Sequence, residues 1–90
     1  MRPRNVKLTS VDKGLRVSWE PPNELDGRPV DRYTISYGKS MRTLRFIKVD
    51  KDRRSEVLED VEPGVLHFLK MSAENEEGIS KPVYRAETPG

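Results

Sequence analysis

The side chains that most often carry out chemistry in proteins are scarce in this sequence. It has one histidine, His67, and no cysteine, which excludes cysteine–histidine nucleophile pairs and multi-histidine metal sites. No serine lies in the glycine–x–serine–x–glycine motif of a nucleophile elbow, and the sequence contains no glycine-rich phosphate loop. We therefore expect no catalytic, cofactor-binding or metal-binding residues, and we expect that the protein is not an enzyme.

The charged residues are distributed unevenly along the chain. The 17 Lys and Arg side chains slightly exceed the 15 Asp and Glu side chains, which gives a net charge of +2. Residues 39–54 contain seven basic side chains against two acidic ones, whereas residues 55–90 contain eight acidic side chains against three basic ones. We therefore expect a basic flank and an acidic flank. The alternative is a charged surface that serves only solvation.

The elements that must position these side chains are predicted to be short strands. Apolar and polar residues alternate in segments that turn residues separate, and no stretch keeps a helical period. Asp26-Gly27, Pro63-Gly64 and Asn75 to Gly78 mark turns. The pattern predicts an all-β fold, a seven-stranded antiparallel immunoglobulin-like sandwich of two sheets, in one domain over residues 1–90. The predicted strands are residues 5–9, 15–19, 33–37, 44–49, 56–59, 68–73 and 83–87.

The period of two along these strands predicts which side chains form the core. Trp19 is the only tryptophan and lies within an alternating segment, so we expect it at the centre. In the last strand, Val83 and Arg85 fall on one face and Tyr84 and Ala86 on the other, which leaves the register open and allows a bulge. The predicted inward set is Val6, Leu8, Leu15, Val17, Trp19, Tyr33, Ile35, Tyr37, Ile47, Val49, Leu58, Val61, Leu69, Met71 and Ala73.

Several of these segments, taken in order, resemble fibronectin type III domains over essentially the whole chain. Leu15 to Pro22 is similar to the family's leucine–valine–tryptophan strand, which ends in a pair of prolines. Pro29 to Tyr37 is similar to its third strand, and Leu58 to Gly64 to the stretch that ends in a proline–glycine corner. Met71 to Pro82 resembles its closing alanine–asparagine–glycine–serine–proline motif. The resemblance implies the fibronectin type III fold.

Finer similarities within the family point to two settings. Tyr37 to Ser40, Glu59 to Val65 and Pro82 to Glu87 resemble a repeat of a secreted, matrix-associated protein. Ala73 to Pro82 also resembles the modules of giant muscle proteins, which are intracellular. We expect the extracellular setting, and the intracellular one stays open.

The sequence departs from the family pattern at the corner. The family usually carries a tyrosine three residues after the corner glycine, where its hydroxyl pins the turn to nearby backbone. Here Gly64 is followed at that distance by His67. One hypothesis is a tolerated substitution. The other is a partly buried His67 whose protonation weakens the corner, which predicts a loss of stability between roughly pH 7 and 5.

The resemblance also implies that the strands at residues 33–37, 44–49 and 68–73 share one sheet. The period of two then places aromatic, aliphatic and basic side chains together on its outer face. Exposed Phe and Leu side chains suggest an interaction surface, and surrounding cations favour an acidic partner. The alternative is a solvated face whose aromatics only cover the sheet. The candidate interaction face comprises Arg32, Leu44, Phe46, Lys48, Phe68 and Lys70.

A second candidate site extends the positive charge beyond this face. Lys48, Lys51, Arg53 and Arg54 form a candidate polyanion patch, for which a sulfated glycosaminoglycan is the expected ligand. Nucleic acid is not expected, because the aromatic residues are few and the basic residues do not suggest a groove.

The function expected from these features is that of a binding or spacing unit. We expect a non-catalytic adhesion or matrix module within a larger extracellular protein, which contacts protein partners or neighbouring domains and is monomeric when isolated. The alternatives are an engineered fibronectin type III binding scaffold and a structural repeat of an intracellular muscle-type protein. No apolar run approaches the roughly 18 residues of a membrane span, so no membrane contact is expected. Met1 to Arg4 suggests an initiator placed on a module taken from a longer chain, or on an engineered one.

Overall fold

The computed structural model describes residues 2–23 and 29–90, so the predicted Asp26-Gly27 turn lies outside the described residues. The described residues form strands, and no helix among them could cross a membrane. The strands are β1 (Arg4–Val11), β2 (Gly14–Glu20), β3 (Arg32–Gly38), β4 (Arg45–Asp50), β5 (Ser55–Leu58), β6 (His67–Asn75), β7 (Gly78–Ile79) and β8 (Val83–Glu87).

The strands form two antiparallel sheets. The smaller sheet has the order β1-β2-β5, and the larger has the order β4-β3-β6, with β7 and β8 both paired to β6. This confirms the predicted antiparallel sandwich, but the prediction of seven strands was wrong by one. Glu74 and Asn75 pair with Ile79 and Gly78, so the predicted turn is itself a tight hairpin. Gly78 permits it with a φ of 137°, which side-chain-bearing residues rarely adopt.

The core lies between the two sheets and follows the alternation of each strand. The Trp19 ring from β2 packs against the Tyr33 ring from β3, with centroids 5.5 Å apart and planes tilted by 58°. Of the predicted inward set, Leu8, Ile47 and Val61 are only partly buried at its margin. The buried apolar side chains are Val6, Leu15, Val17, Trp19, Val30, Tyr33, Ile35, Tyr37, Val49, Leu58, Leu69, Met71 and Ala73.

The irregular strand is the first one, not the last. β8 keeps a continuous register with β6, from His67 opposite Glu87 to Met71 opposite Val83, so the suggested bulge in the last strand was wrong. The register instead shifts in β1 between Arg4 and Lys7, where Asn5 has a φ of 50°. An asparagine tolerates this left-handed conformation better than most side-chain-bearing residues.

Candidate interaction surfaces

A row of four side chains crosses the outer face of the larger sheet. Phe46 on β4 lies opposite Ser36 on β3, Ser36 lies opposite Lys70 on β6, and Lys70 lies opposite Tyr84 on β8. Phe46 is 64% exposed and Tyr84 is 53% exposed, so both aromatic rings face solvent. We call Phe46, Ser36, Lys70 and Tyr84 the aromatic row.

The other predicted members of the face lie around this row. Arg32 and Lys48 both bind the carboxylate of Glu74, at 3.0 and 3.5 Å. Phe68 lies opposite Gly38 and is half-buried. Leu44, predicted to lie within a strand, instead precedes β4 and lies so close over Gly38 that a β-carbon there would contact it at 3.5 Å.

Two exposed apolar residues on this face were missing from the prediction. Tyr84 completes the aromatic row, and Ile79 lies opposite Glu74 at the far end of β6. The alternation of β8 placed Tyr84 and Ala86 on a common face, but it could not say which face. The register with Lys70 assigns Tyr84 to the outer one.

The candidate polyanion patch bends around the edge of the larger sheet. Lys48 lies on the outer face of β4, and the other three cations lie in the turn that leads to β5. Arg53 is bound to the Glu56 carboxylate and to the Ser55 carbonyl. Arg54 donates to the carbonyls of Lys51 and Arg53, at 2.7 and 2.8 Å. Within residues 2–23 and 29–90, Lys51 and Arg54 form no ion pair.

The predicted basic and acidic flanks are interleaved by the fold. Each of the five ion pairs among the described residues joins a cation from residues 32–54 to a carboxylate from residues 56–74. Pairing of β3 with β6 brings Arg32 and Lys48 to Glu74, and the other three carboxylates lie on β5 or in the loop that follows it. At these pairs, segregation along the sequence becomes pairing in space, so the basic and acidic stretches meet there.

His67 is almost completely buried at the corner and uses both ring nitrogens. Its side chain is 3% exposed. Nε2 accepts a hydrogen bond from the backbone N–H of Glu62 at 3.2 Å, and Nδ1 lies 2.7 Å from the carbonyl of Val65. Both bonds form only when Nδ1 carries the hydrogen and Nε2 carries none, which is a neutral imidazole. The ring thus pins the corner in place of the family's tyrosine.

Tyr37, on β3, also holds the same corner in place. Its hydroxyl donates to Asp60 Oδ1 at 2.5 Å, and Arg45 also binds this carboxylate. Burial, together with the hydrogen bond and the charge of Asp60, raises the pKa of Tyr37 to about 12. The hydrogen bond from Tyr37 and the Arg45 charge hold the pKa of Asp60 below its ordinary value.

His67 and Tyr37, together with Asp60 and Glu62, line a shallow groove of 620 Å³ between the corner and the larger sheet. Lys39 and Glu62 close one side with an ion pair of 2.8 Å, which lowers the pKa of Glu62. The hydrogen-bonding atoms of Tyr37, Asp60 and His67 are all directed at one another, at Arg45 or at backbone. Their chemistry here is structural, since these contacts hold the loop between β5 and β6 against the core.

Two facing antiparallel sheets, an interior aromatic pair and a pinned corner define an immunoglobulin-like sandwich. The family model for the fibronectin type III domain matches residues 1–88, and the chain belongs to this family. Family members are generally non-catalytic structural or binding modules.

Relatives of the chain include matrix proteins. It is 34% identical to rabbit (Oryctolagus cuniculus) collagen alpha-1(XII) chain over 97% of this chain, and 36% identical to mouse (Mus musculus) tenascin-N over 88% of it. The chain spans 13% and 5% of these two proteins. The solved fn3 domain of human collagen alpha-1(XX) chain superimposes with a TM-score of 0.85 at 26% identity, covering 100% of this chain and 85% of that one.

Proposed function

We propose that this chain is a non-catalytic adhesion or matrix module, which serves as a spacer and protein-interaction domain within a larger extracellular protein. Its similarity to segments of collagen alpha-1(XII) and tenascin-N supports the matrix setting. The small share of those proteins that it matches supports a role as one unit among others. The hydrogen-bonded corner at His67 and Tyr37 gives the module the fixed shape that a spacer requires.

The observation that carries the contact role is the exposure of Phe46 and Tyr84 on the outer face of the larger sheet. Two aromatic rings in solvent stabilise the fold little, because burial is what makes an aromatic side chain stabilising. Apolar side chains grouped on a surface are typical of contact sites. The aromatic row is therefore the surface through which we propose that the module binds protein.

The test is retention on extracellular matrix that cultured cells have deposited and from which the cells have been extracted. The native chain is compared with the double variant Phe46→Ser, Tyr84→Ser and with Met41→Ser, which changes an exposed apolar residue in the turn between β3 and β4. We expect the double variant to lose at least tenfold in retention and Met41→Ser to keep it. Equal retention of all three would contradict the contact role of the row.

A second candidate function is binding of a sulfated glycosaminoglycan by Lys48, Lys51, Arg53 and Arg54. The observation in its favour is that all four cations are exposed around one turn, and Lys51 and Arg54 form no ion pair within the described residues. Such binding is driven by charge and weakens steeply with salt.

Heparin-column retention tests this second function. The native chain is compared with a variant in which these four residues are Ser, and with a control of equal net charge in which Lys7, Lys13, Arg16 and Lys81 are Ser. If the patch binds polyanions, elution of the native chain and of the control requires salt above the physiological level, and the patch variant flows through. Flow-through of the native chain would contradict this function.

A further inference from the structure

We infer that the aromatic row binds an extended acidic segment of a partner protein, with a carboxylate of the segment at Lys70 and apolar side chains of the segment against Phe46 and Tyr84. This inference rests on the proposed contact role and names the chemistry of the partner. Three features of the row support it: its spacing, its charge and the different heights of its side chains above the sheet.

The spacing of the row suits a short extended peptide. Phe46 and Tyr84 lie three strand positions apart, and neighbouring strands are about 4.8 Å apart, so about 14 Å separates the two. An extended chain rises about 3.4 Å per residue and directs every second side chain to one face. Residues one, three and five of such a segment therefore span about 14 Å and face the row together. Apolar residues at one and five, with an acidic residue at three, match its pattern.

The charge of the face selects an acidic residue for the middle position. Lys70 forms no ion pair within the described residues. The two carboxylates on this face are Glu74, which already binds Arg32 and Lys48, and Asp50, which lies opposite Arg32. Both lie at the far end of the strands, so the potential around Lys70 stays positive, and a partner carboxylate would complement it.

The relief of the row gives the segment a place to lie. Ser36 stands between Phe46 and Lys70, and its short side chain reaches less far from the sheet than the exposed Phe46 ring. In the next row of the face, Phe68 lies between Gly38 and Ala86, and Leu44 lies over Gly38, so apolar side chains border the aromatic row on this side. A sulfated polysaccharide could pair with Lys70, but it carries little apolar surface to cover the two aromatic rings. A peptide with apolar side chains covers them, which favours a protein partner.

The test follows backbone amide chemical shifts of the isotope-labelled chain during titration with a blocked pentapeptide, leucine–glycine–aspartate–glycine–leucine. We expect saturable shifts confined to the outer rows of β4, β3, β6 and β8. Lys70→Glu should weaken binding at least tenfold, and Lys7→Glu, an equal charge change on the smaller sheet, should not. A pentapeptide with lysine in place of aspartate should bind at least tenfold more weakly than the acidic one.

Three results would overturn the inference. These are no shifts with the acidic pentapeptide, equal binding of the lysine pentapeptide, and saturation of the row by a heparin hexasaccharide but not by the peptide. The matrix assay separates this failure from that of the proposed function. If retention depends on Phe46 and Tyr84 but the peptide does not bind, only the acidic-segment inference is lost. If retention does not depend on these residues, the contact role itself is lost.

Discussion

The two faces of the larger sheet use the same strands for different purposes. On the inner face Tyr33, Ile35, Leu69 and Met71 have no exposed surface, and the side chains pack against the smaller sheet. On the outer face the alternate positions carry the aromatic row, whose rings lie in solvent. Each strand thus contributes one set of side chains to folding and leaves the other set available for contact.

That a side chain is aromatic does not by itself show whether it serves folding or contact. Burying apolar surface contributes about 25 cal/mol per Å², so Tyr33 stabilises the fold strongly and Phe46 only weakly. Only 33% of this chain is apolar, and it still leaves two aromatic rings on one face. Stability does not account for that placement, whereas the proposed contact role would.

The largest expected effect comes from the aromatic ring that covers the inner face. Trp19→Ala removes the partner of Tyr33 and should lower the free energy of unfolding by about 3–5 kcal/mol. The total for a chain of this size is about 4–13 kcal/mol, so the variant could be largely unfolded. Urea denaturation followed by circular dichroism measures the change. A loss below about 1 kcal/mol would contradict the central position of this ring in the core.

A smaller effect is expected at the buried polar end of the inner face. His67→Phe keeps a buried ring but removes the bonds of Nε2 to the N–H of Glu62 and of Nδ1 to the carbonyl of Val65. The variant should lose about 1–3 kcal/mol of stability, because two buried backbone groups lose their partners, and urea denaturation measures this loss. The groups that face the ring or line its groove are Glu62, Lys39, Asp60, Arg45 and, from β8, Glu87.

The two carboxylates at the same corner predict how stability depends on pH below neutrality. Asp60 and Glu62 have lowered pKa values, so the stability that they contribute is present above the ordinary carboxyl range and is lost only as the pH falls through and below it. Their contribution is therefore complete between pH 7 and 5. A loss of stability below about 0.5 kcal/mol in His67→Phe would leave His67 as a tolerated substitution without a role at the corner.

The contribution of Tyr37 to stability should be measurable at alkaline pH. Its pKa is raised from 10.0 to about 12, so its contribution is complete below pH 10 and is lost as the pH rises through 12. Tyr37→Phe removes the bond to Asp60 and should cost about 1 kcal/mol at pH 8. The variant should also show a shallower alkaline loss of stability, and some should remain because burial raises the pKa of Tyr33 as well. An unchanged alkaline slope would contradict the assignment to Tyr37.

The smallest effect on stability is expected on the outer face. The double variant Phe46→Ser, Tyr84→Ser changes two exposed rings and should shift the free energy of unfolding by less than about 0.5 kcal/mol per residue. Urea denaturation alongside the matrix assay measures both quantities on one sample. A large loss of stability would mean that the row supports the fold, and the contrast between the two faces would fail.

The inner face was more predictable from the sequence than the outer one. Alternation alone assigns Tyr33, Ile35 and Tyr37 to one side, because the side-chain period of a strand is two. It does not say which strands are neighbours, so it could not place Tyr84 opposite Lys70. That contact depends on pairing between segments distant in the chain.

The contacts at the corner and the ion pairs could not be predicted from the sequence for the same reason. The sequence shows that His67 replaces the family's tyrosine, but its two hydrogen bonds depend on the path of the loop. The cations of residues 32–54 and the carboxylates that they bind also meet only through the fold.

The irregular start of β1 affects how copies of the chain can associate at high concentration. β1 is an edge strand, and a straight edge offers unpaired backbone groups to the strands of other molecules. The register shift near Asn5 bends this edge, and the Arg85 side chain already occupies the carbonyl of Val6 at 2.9 Å. Copies held at high local concentration are thereby hindered from joining edge to edge into aggregates, and the exposed charges of Arg4 and Lys7 on β1 act in the same direction.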